Sequence, residues 1–270
     1  MGETISTLVF RPPPPTPIKP DKFFYIRIPK EDEHAIDYQC TNTCGGMPPE
    51  IDIFDNFDTN NNHNSRNYNG MSHQDRRDMS TLSSLKGVAS STMCAGGGIL
   101  NQSYSNLNNN QAANIDYYIP AFFLRRKGAK VTILFSHGNA EDLGMMYRRM
   151  KEMAMLLCAN VLAYDYTGYG LSKPRNHPPT EAMCYRNIEA AYNHLTQTMK
   201  IPPNEIILYG RSLGSGPSCY LAKKTADDGA SVAGLILHSP FLSIYRIVLD
   251  CRVNLVGDMF INRSRAKDVR

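Results

Sequence analysis

Between residues 117 and 239 the sequence alternates short apolar runs with longer segments whose apolar residues recur every three or four positions, and this alternation limits the fold more than any other feature. The short runs at 117–125, 131–136, 160–165, 205–210 and 233–239 have the length and composition of buried strands. The longer segments 141–157, 180–198 and 213–225 read as helices. In the first of these Leu143, Met146, Met150, Met153 and Leu157 form one stripe, and a Met-rich stripe of this kind belongs to a core rather than to a cofactor. Strands separated by helices of this length need right-handed crossovers. The expected fold class is therefore α/β, a mostly parallel sheet with helices on both faces and functional loops at the carboxyl ends of the strands. The stretch "RKGAK" between the first two runs reads as a hairpin turn around Gly128.

The chain ahead of residue 117 is different in kind. In all 270 residues, 42% are hydrophobic, enough for a large core, but continuous apolar runs begin only near residue 117. Residues 8–20, "LVFRPPPPTPIKP", exclude a helix or a central strand, because successive prolines remove backbone donors and hold φ near polyproline II values. A stiff spacer is the simpler reading and an SH3-type ligand the alternative. "DKFFYIRIP" then alternates as a first strand would. Residues 40–113 form a low-complexity Asn/Ser/Gly-rich tract, including "NNNHNS" and "NLNNNQ", expected to be a disordered insertion without chemistry; its His63 and His73 lack a scaffold for catalysis. The expected organisation is an arm and first strand at 1–39, the insertion at 40–113 and the folded domain at 114–270.

Several function classes are disfavoured. A net charge of +4 with no cluster of basic residues interleaved with aromatics argues against nucleic-acid binding. The seven cysteines, Cys40, Cys44, Cys94, Cys158, Cys184, Cys219 and Cys251, are scattered without CxxC pairing, as reduced thiols of a cytoplasmic protein would be. Cys40 and Cys44 have no second pair at finger spacing, so no metal and no cofactor is expected. No apolar run reaches the roughly 18 residues of a membrane span. The start "MGETIS" does fit the myristoylation pattern at Gly2, with Ser6 in place and Glu3 an unfavourable neighbour. One such chain anchors only marginally, so Lys19, Lys22, Arg27 and Lys30 would have to add a basic signal for a peripheral membrane attachment.

The chemistry concentrates in "ILYGRSLGSGPS". Gly210-Arg211-Ser212-Leu213-Gly214 is a G-x-S-x-G pattern set between a strand-like run and a helix-like one. Ser212 would sit on a strained turn that only glycines at both flanks permit, with Oγ exposed and the positive end of the following helix directed at a developing oxyanion. The loop "FSHGNAEDLG" after the second run can offer the backbone N–H of Asn139 beside that of Leu213. His137 reads as a loop-shaping residue rather than a base, and Asp165 with Tyr166 as packing and turn residues.

"LFSHGNAEDLG", "YDYTGYGLS", "ILYGRSLGSGP" and "LILHSPFLS", in this order, resemble the α/β-hydrolase superfamily, and within it the α/β-hydrolase domain-containing 17 group of protein depalmitoylases. The resemblance covers about residues 115–262, and "LVFRPPPPTPI" is similar to that group's N-terminal segment. It implies the α/β-hydrolase fold and a serine thioesterase acting through an acyl-enzyme on palmitoylated proteins; a lipid ester is the alternative substrate, and a lipase or serine peptidase shares the fold. It assigns Ser212 as nucleophile, Asn139 and Leu213 as oxyanion donors, and His238 to a motif outside the triad. Two departures accompany it. The group's N-terminal cysteine cluster is absent before Cys40, which leaves membrane attachment to Gly2. After Ser212, only His238 and Asp227, Asp228, Asp250, Asp258 and Asp268 remain as acid–base candidates, none following a strand of the required kind. The expectation is a partial domain lacking the last two strands, the final helix, the acid and the base, or else a non-catalytic interaction protein. In either case "GLILHS" would be an apolar edge strand.

Overall fold

The computed structural model of the protein describes residues 9–30, 50–52, 117–174, 177–248 and 258–267, and it turns the alternation of the sequence into one sheet. The strands are β1 (Phe24–Ile28), β2 (Glu50–Asp52), β3 (Tyr117–Arg125), β4 (Thr132–Ser136), β5 (Asn160–Tyr164), β6 (Ile206–Arg211) and β7 (Gly234–His238), in the spatial order β1-β3-β5-β4-β6-β7 with β2 beside β3. Pairing is parallel for β4–β5, β4–β6, β6–β7 and β2–β3, and antiparallel for β1–β3 and β3–β5. β2 falls within the tract expected to lack structure; the rest of that tract, with Cys40, Cys44, His63 and His73, lies outside the described residues, as does Gly2.

Side-chain alternation sorts the core into two layers. Leu134 of β4 and Leu162 and Tyr164 of β5 face one side with Phe24, Ile26 and Ile28 of β1. Their neighbours Ile133, Phe135, Val161 and Ala163 face the other. Helix α1 (Leu143–Leu157) buries Leu143, Met146, Met150 and Ala154 on the second layer. Helices α2 (Glu181–Asn193) and α3 (Ser215–Asp227) cover the first. The caps are as the sequence chemistry demands: Asp142 accepts from Met145 N–H at 2.9 Å, and Thr180 Oγ1 from Met183 N–H at 3.2 Å. α2 runs on through a π turn at His194–Thr198, and short helices α4 (Ile244–Val248) and α5 (Asn262–Lys267) follow β7.

Three expectations are corrected. The turn at Gly128, with φ 80°, exists, but β3 and β4 are not a hairpin, because β5 lies between them and pairs with both. Leu157 is not part of the buried stripe: it is 55% exposed at the end of α1, where Cys158 turns the chain left-handed with φ 50°. The proline-rich arm does not stand off the domain as a stiff spacer: Val9 and Phe10 are buried in the first core layer and Ile18 packs on the second.

From β4 the chain moves through α1 to β5 on one side, then through α2 to β6 on the other side of β4, and onward to β7. The direction of travel reverses between β4 and β6. In open α/β sheets the crevice at the carboxyl ends of such a pair is where ligands bind, and here both sequence-predicted loops leave from it.

Candidate active site

β6 ends at Arg211, and Ser212 follows with φ 47°, in the left-handed region that costs a non-glycine residue on the order of 1 kcal/mol. A 3-10 turn at Ser212–Gly214 then leads into α3. The flanking glycines are demanded by close approach. A Cβ on Gly210 would stand 2.4 Å from Gly214 O, and one on Gly214 would stand 2.1 Å from Ser136 O. The end of β4 and the start of α3 thus touch through bare backbone, which sets the loop after β4 against the serine turn. Ser212 is half-buried, and among the described residues its Oγ has no hydrogen-bond partner.

The turn is held from below. Ser215 Oγ donates to Ser212 O at 2.6 Å and accepts from Asn262 Nδ2 at 3.1 Å, both side chains being buried. It is also held from the side: Arg211 forms an ion pair with Glu141, whose Oε2 accepts from Gly138 N–H at 2.8 Å. One carboxylate therefore bridges the residue before Ser212 and the residue before Asn139. The backbone N–H of Asn139 has no acceptor among the described residues, as an oxyanion donor requires.

His137, 1% exposed, is packed between the rings of Tyr166 and Tyr169 with centroids at 4.3 and 5.5 Å. Its Nδ1 lies 2.8 Å from Gly138 O and its Nε2 3.4 Å from Asp165 Oδ1. The two ring nitrogens thus face Gly138 O and Asp165, and Tyr166 OH donates to His137 O at 2.7 Å. Asp165 is buried, accepts from Leu143 N–H at 2.9 Å, and has its pKa raised by burial, an effect that His137 opposes. These residues shape the loop and seat the start of α1.

The Hydrolase_4 family, described as serine aminopeptidase, S33, matches residues 127–263, just over half of the chain, spanning the loop after β4, the serine turn and the segment through Asn262. The chain belongs to this α/β-hydrolase family. Among curated relatives it is similar to alpha/beta hydrolase domain-containing protein 17B of Homo sapiens, 39% identical over 56% of this chain and 50% of that protein. It is also similar to protein 17C of Xenopus tropicalis, 39% identical over 49% and 41%. The chain spans half or less of the length of these relatives. Among solved structures, an alpha-beta hydrolase from Vibrio vulnificus superposes with a TM-score of 0.47 at 18% identity, over 83% of this chain and 76% of that one.

In this α/β-hydrolase the structure sets the turn of Gly210, Ser212, Leu213 and Gly214 against the end of β4, from which the loop carrying Asn139 leaves, and it pairs His238 with Arg211 in the β6–β7 register. His238 is exposed on the edge strand β7, with Nδ1 3.1 Å from Tyr209 OH. Asp258 accepts from Tyr245 N–H at 3.0 Å, a turn role. Glu141, Ser215 and Asn262 are support residues that sequence reasoning missed. Glu141 was legible only as a charged residue near a helix start, and the Asn262 contact spans 47 residues with no local pattern.

Proposed function

We propose that the protein is a serine hydrolase of acyl thioesters acting on palmitoylated proteins, with Ser212 as nucleophile. The carrying observation is the turn at Ser212: a non-glycine residue held at φ 47° between two glycines whose replacement would collide with backbone. Strain of this kind is retained where a side chain must project from the sheet, and Ser212 Oγ is engaged by nothing among the described residues. The N–H groups of Leu213 and Asn139 are the intended oxyanion donors, and an acyl-enzyme would form on Ser212 and be released by water. Similarity to the domain-containing 17 proteins supports the thioester substrate, and a cytoplasmic location with peripheral attachment through Gly2 accords with such a substrate.

A second reading, a non-catalytic binding protein on the same fold, is favoured by one fact: among the described residues no imidazole or carboxylate contacts Ser212 Oγ. Without a base a serine nucleophile loses on the order of 10⁶ in turnover. Fluorophosphonate labelling decides between them. Labelling of the parent that disappears in Ser212→Ala supports the hydrolase; folded parent that takes no label supports the binding protein.

A further inference from the structure

The side-chain amide of Asn139 is engaged by residues far away in sequence. Its Nδ2 donates to Val9 O at 2.7 Å, and its Oδ1 accepts from Arg11 N–H at 2.9 Å, from Tyr169 OH at 2.7 Å and from Ala140 N–H at 3.1 Å. The first two bonds reproduce, with a side chain, the paired donor and acceptor through which a strand residue grips positions i and i+2 of its neighbour. Only a carboxamide side chain offers both groups in this geometry. Phe10, between the two gripped residues, is 4% exposed and meets Phe260 edge-on with centroids 6.1 Å apart. Phe260 in turn covers Gly216 in the first turn of α3, where a Cβ would stand 2.2 Å from Phe260 Cδ1. Three arm residues thus reach both halves of the candidate oxyanion hole, the Asn139 loop directly and the start of α3 behind Leu213 through Phe260.

Farther along, Thr16 N–H donates to Asp142 Oδ2 at 2.6 Å, and Thr16 sits so close to Gly144 that a Cβ there would stand 2.6 Å from its own Cβ. Pro12, Pro13, Pro14 and Pro15 separate the two fastenings. With φ fixed in each, this piece transmits a displacement instead of absorbing it.

We propose that residues 9–16 are a strap that sets the geometry of the oxyanion loop, and that the Asn139 side chain is the positioning residue that fastens it. A force or a binding event on the N-terminal segment then reaches the serine site through Val9 and Arg11. The proposal rests on the reading of Ser212 and the loop after β4 as the reacting centre.

The test uses the full 270-residue chain. Arg11→Pro deletes the backbone N–H that bonds Asn139, whereas Arg11→Ala deletes an exposed side chain and keeps that N–H. Asn139→Asp removes the donor to Val9 O and adds charge beside it. Amide hydrogen exchange is followed at Gly138 and Ala140, with fluorophosphonate labelling of Ser212 measured in parallel. Exchange should quicken about tenfold in Arg11→Pro and at least as much in Asn139→Asp, and stay within about twofold of the parent in Arg11→Ala. Equal exchange in Arg11→Pro and Arg11→Ala overturns the strap, and Asn139→Asp decides the matter if Arg11→Pro does not fold. Faster exchange with an unchanged labelling rate overturns the positioning role. A parent that takes no label defeats the hydrolase reading instead, while the exchange comparison still decides the strap.

Discussion

Replacing Gly214 with alanine sets helix propensity against backbone contact. Gly214 has φ −62° and ψ −15°, which any residue adopts, so propensity alone favours alanine by about 0.5–1 kcal/mol. The new Cβ would lie 2.1 Å from Ser136 O, 2.6 Å from Ser136 C and 2.9 Å from His137 O. Bringing the nearest of these to 3.4 Å requires the start of α3 and the end of β4 to part by 1.3 Å. β4 yields reluctantly, because Ser136 is paired with Tyr164 on one side and Gly210 on the other. A separation of this size belongs at the upper end of the about 1–3 kcal/mol that overpacking costs, so after the propensity gain Gly214→Ala should destabilise by about 2 kcal/mol net. That corresponds to a fall in Tm of about 4–8 °C for a domain of this size. The measurement is the urea midpoint at unchanged m, with Gly234→Ala as control, since nothing lies within 4 Å of a Cβ at Gly234. If Gly214→Ala is as stable as that control, the close approach of β4 and the serine turn is not what excludes a side chain there.

Further outcomes follow from the same geometry. Ser212→Gly should raise stability by up to about 1 kcal/mol by relieving the left-handed turn while abolishing labelling; a drop in stability would show that the turn is not strained. His194 is buried against Phe24, and burial lowers its pKa to about 4. The unfolded chain binds a proton there below about pH 6.5 and the folded chain does not. Thermal stability should therefore fall as pH drops from about 6.5 towards 4, and His194→Gln should flatten that slope. Glu141→Ala should cost about 2 kcal/mol by stranding Arg211 and Gly138 N–H. In a double-mutant cycle with Arg211→Ala, coupling under about 0.5 kcal/mol would deny the bridge its role.

What could be read in advance was what repeats locally. The period-two and period-three-to-four patterns located the strands and helices of the hydrolase domain to within a few residues, because burial on one face or two imposes those periods. The serine turn was legible for a related reason: glycine at 210 and 214 is a local mark of a tertiary collision. The hairpin at Gly128 was misread because turn chemistry fixes the turn and not the partner; β4 pairs with β5 and β6, whose contacts are long-range. Leu157 was misread because periodicity does not say where the covering sheet stops.

The sequence by itself determined an α/β alternation, a strained serine between glycines, and a histidine-containing loop after an earlier strand, since each follows from residue type and near-neighbour spacing. Only the tertiary structure decided that the loop after β4 starts against the serine turn, at the reversal between β4 and β6. It alone turned His137 inward to Asp165 and fastened a proline-rich arm onto Asn139 across 130 positions of sequence. Such contacts join residues that chain proximity leaves independent, and they arise only when the sheet order and the packing of its two faces bring distant backbone within hydrogen-bonding reach.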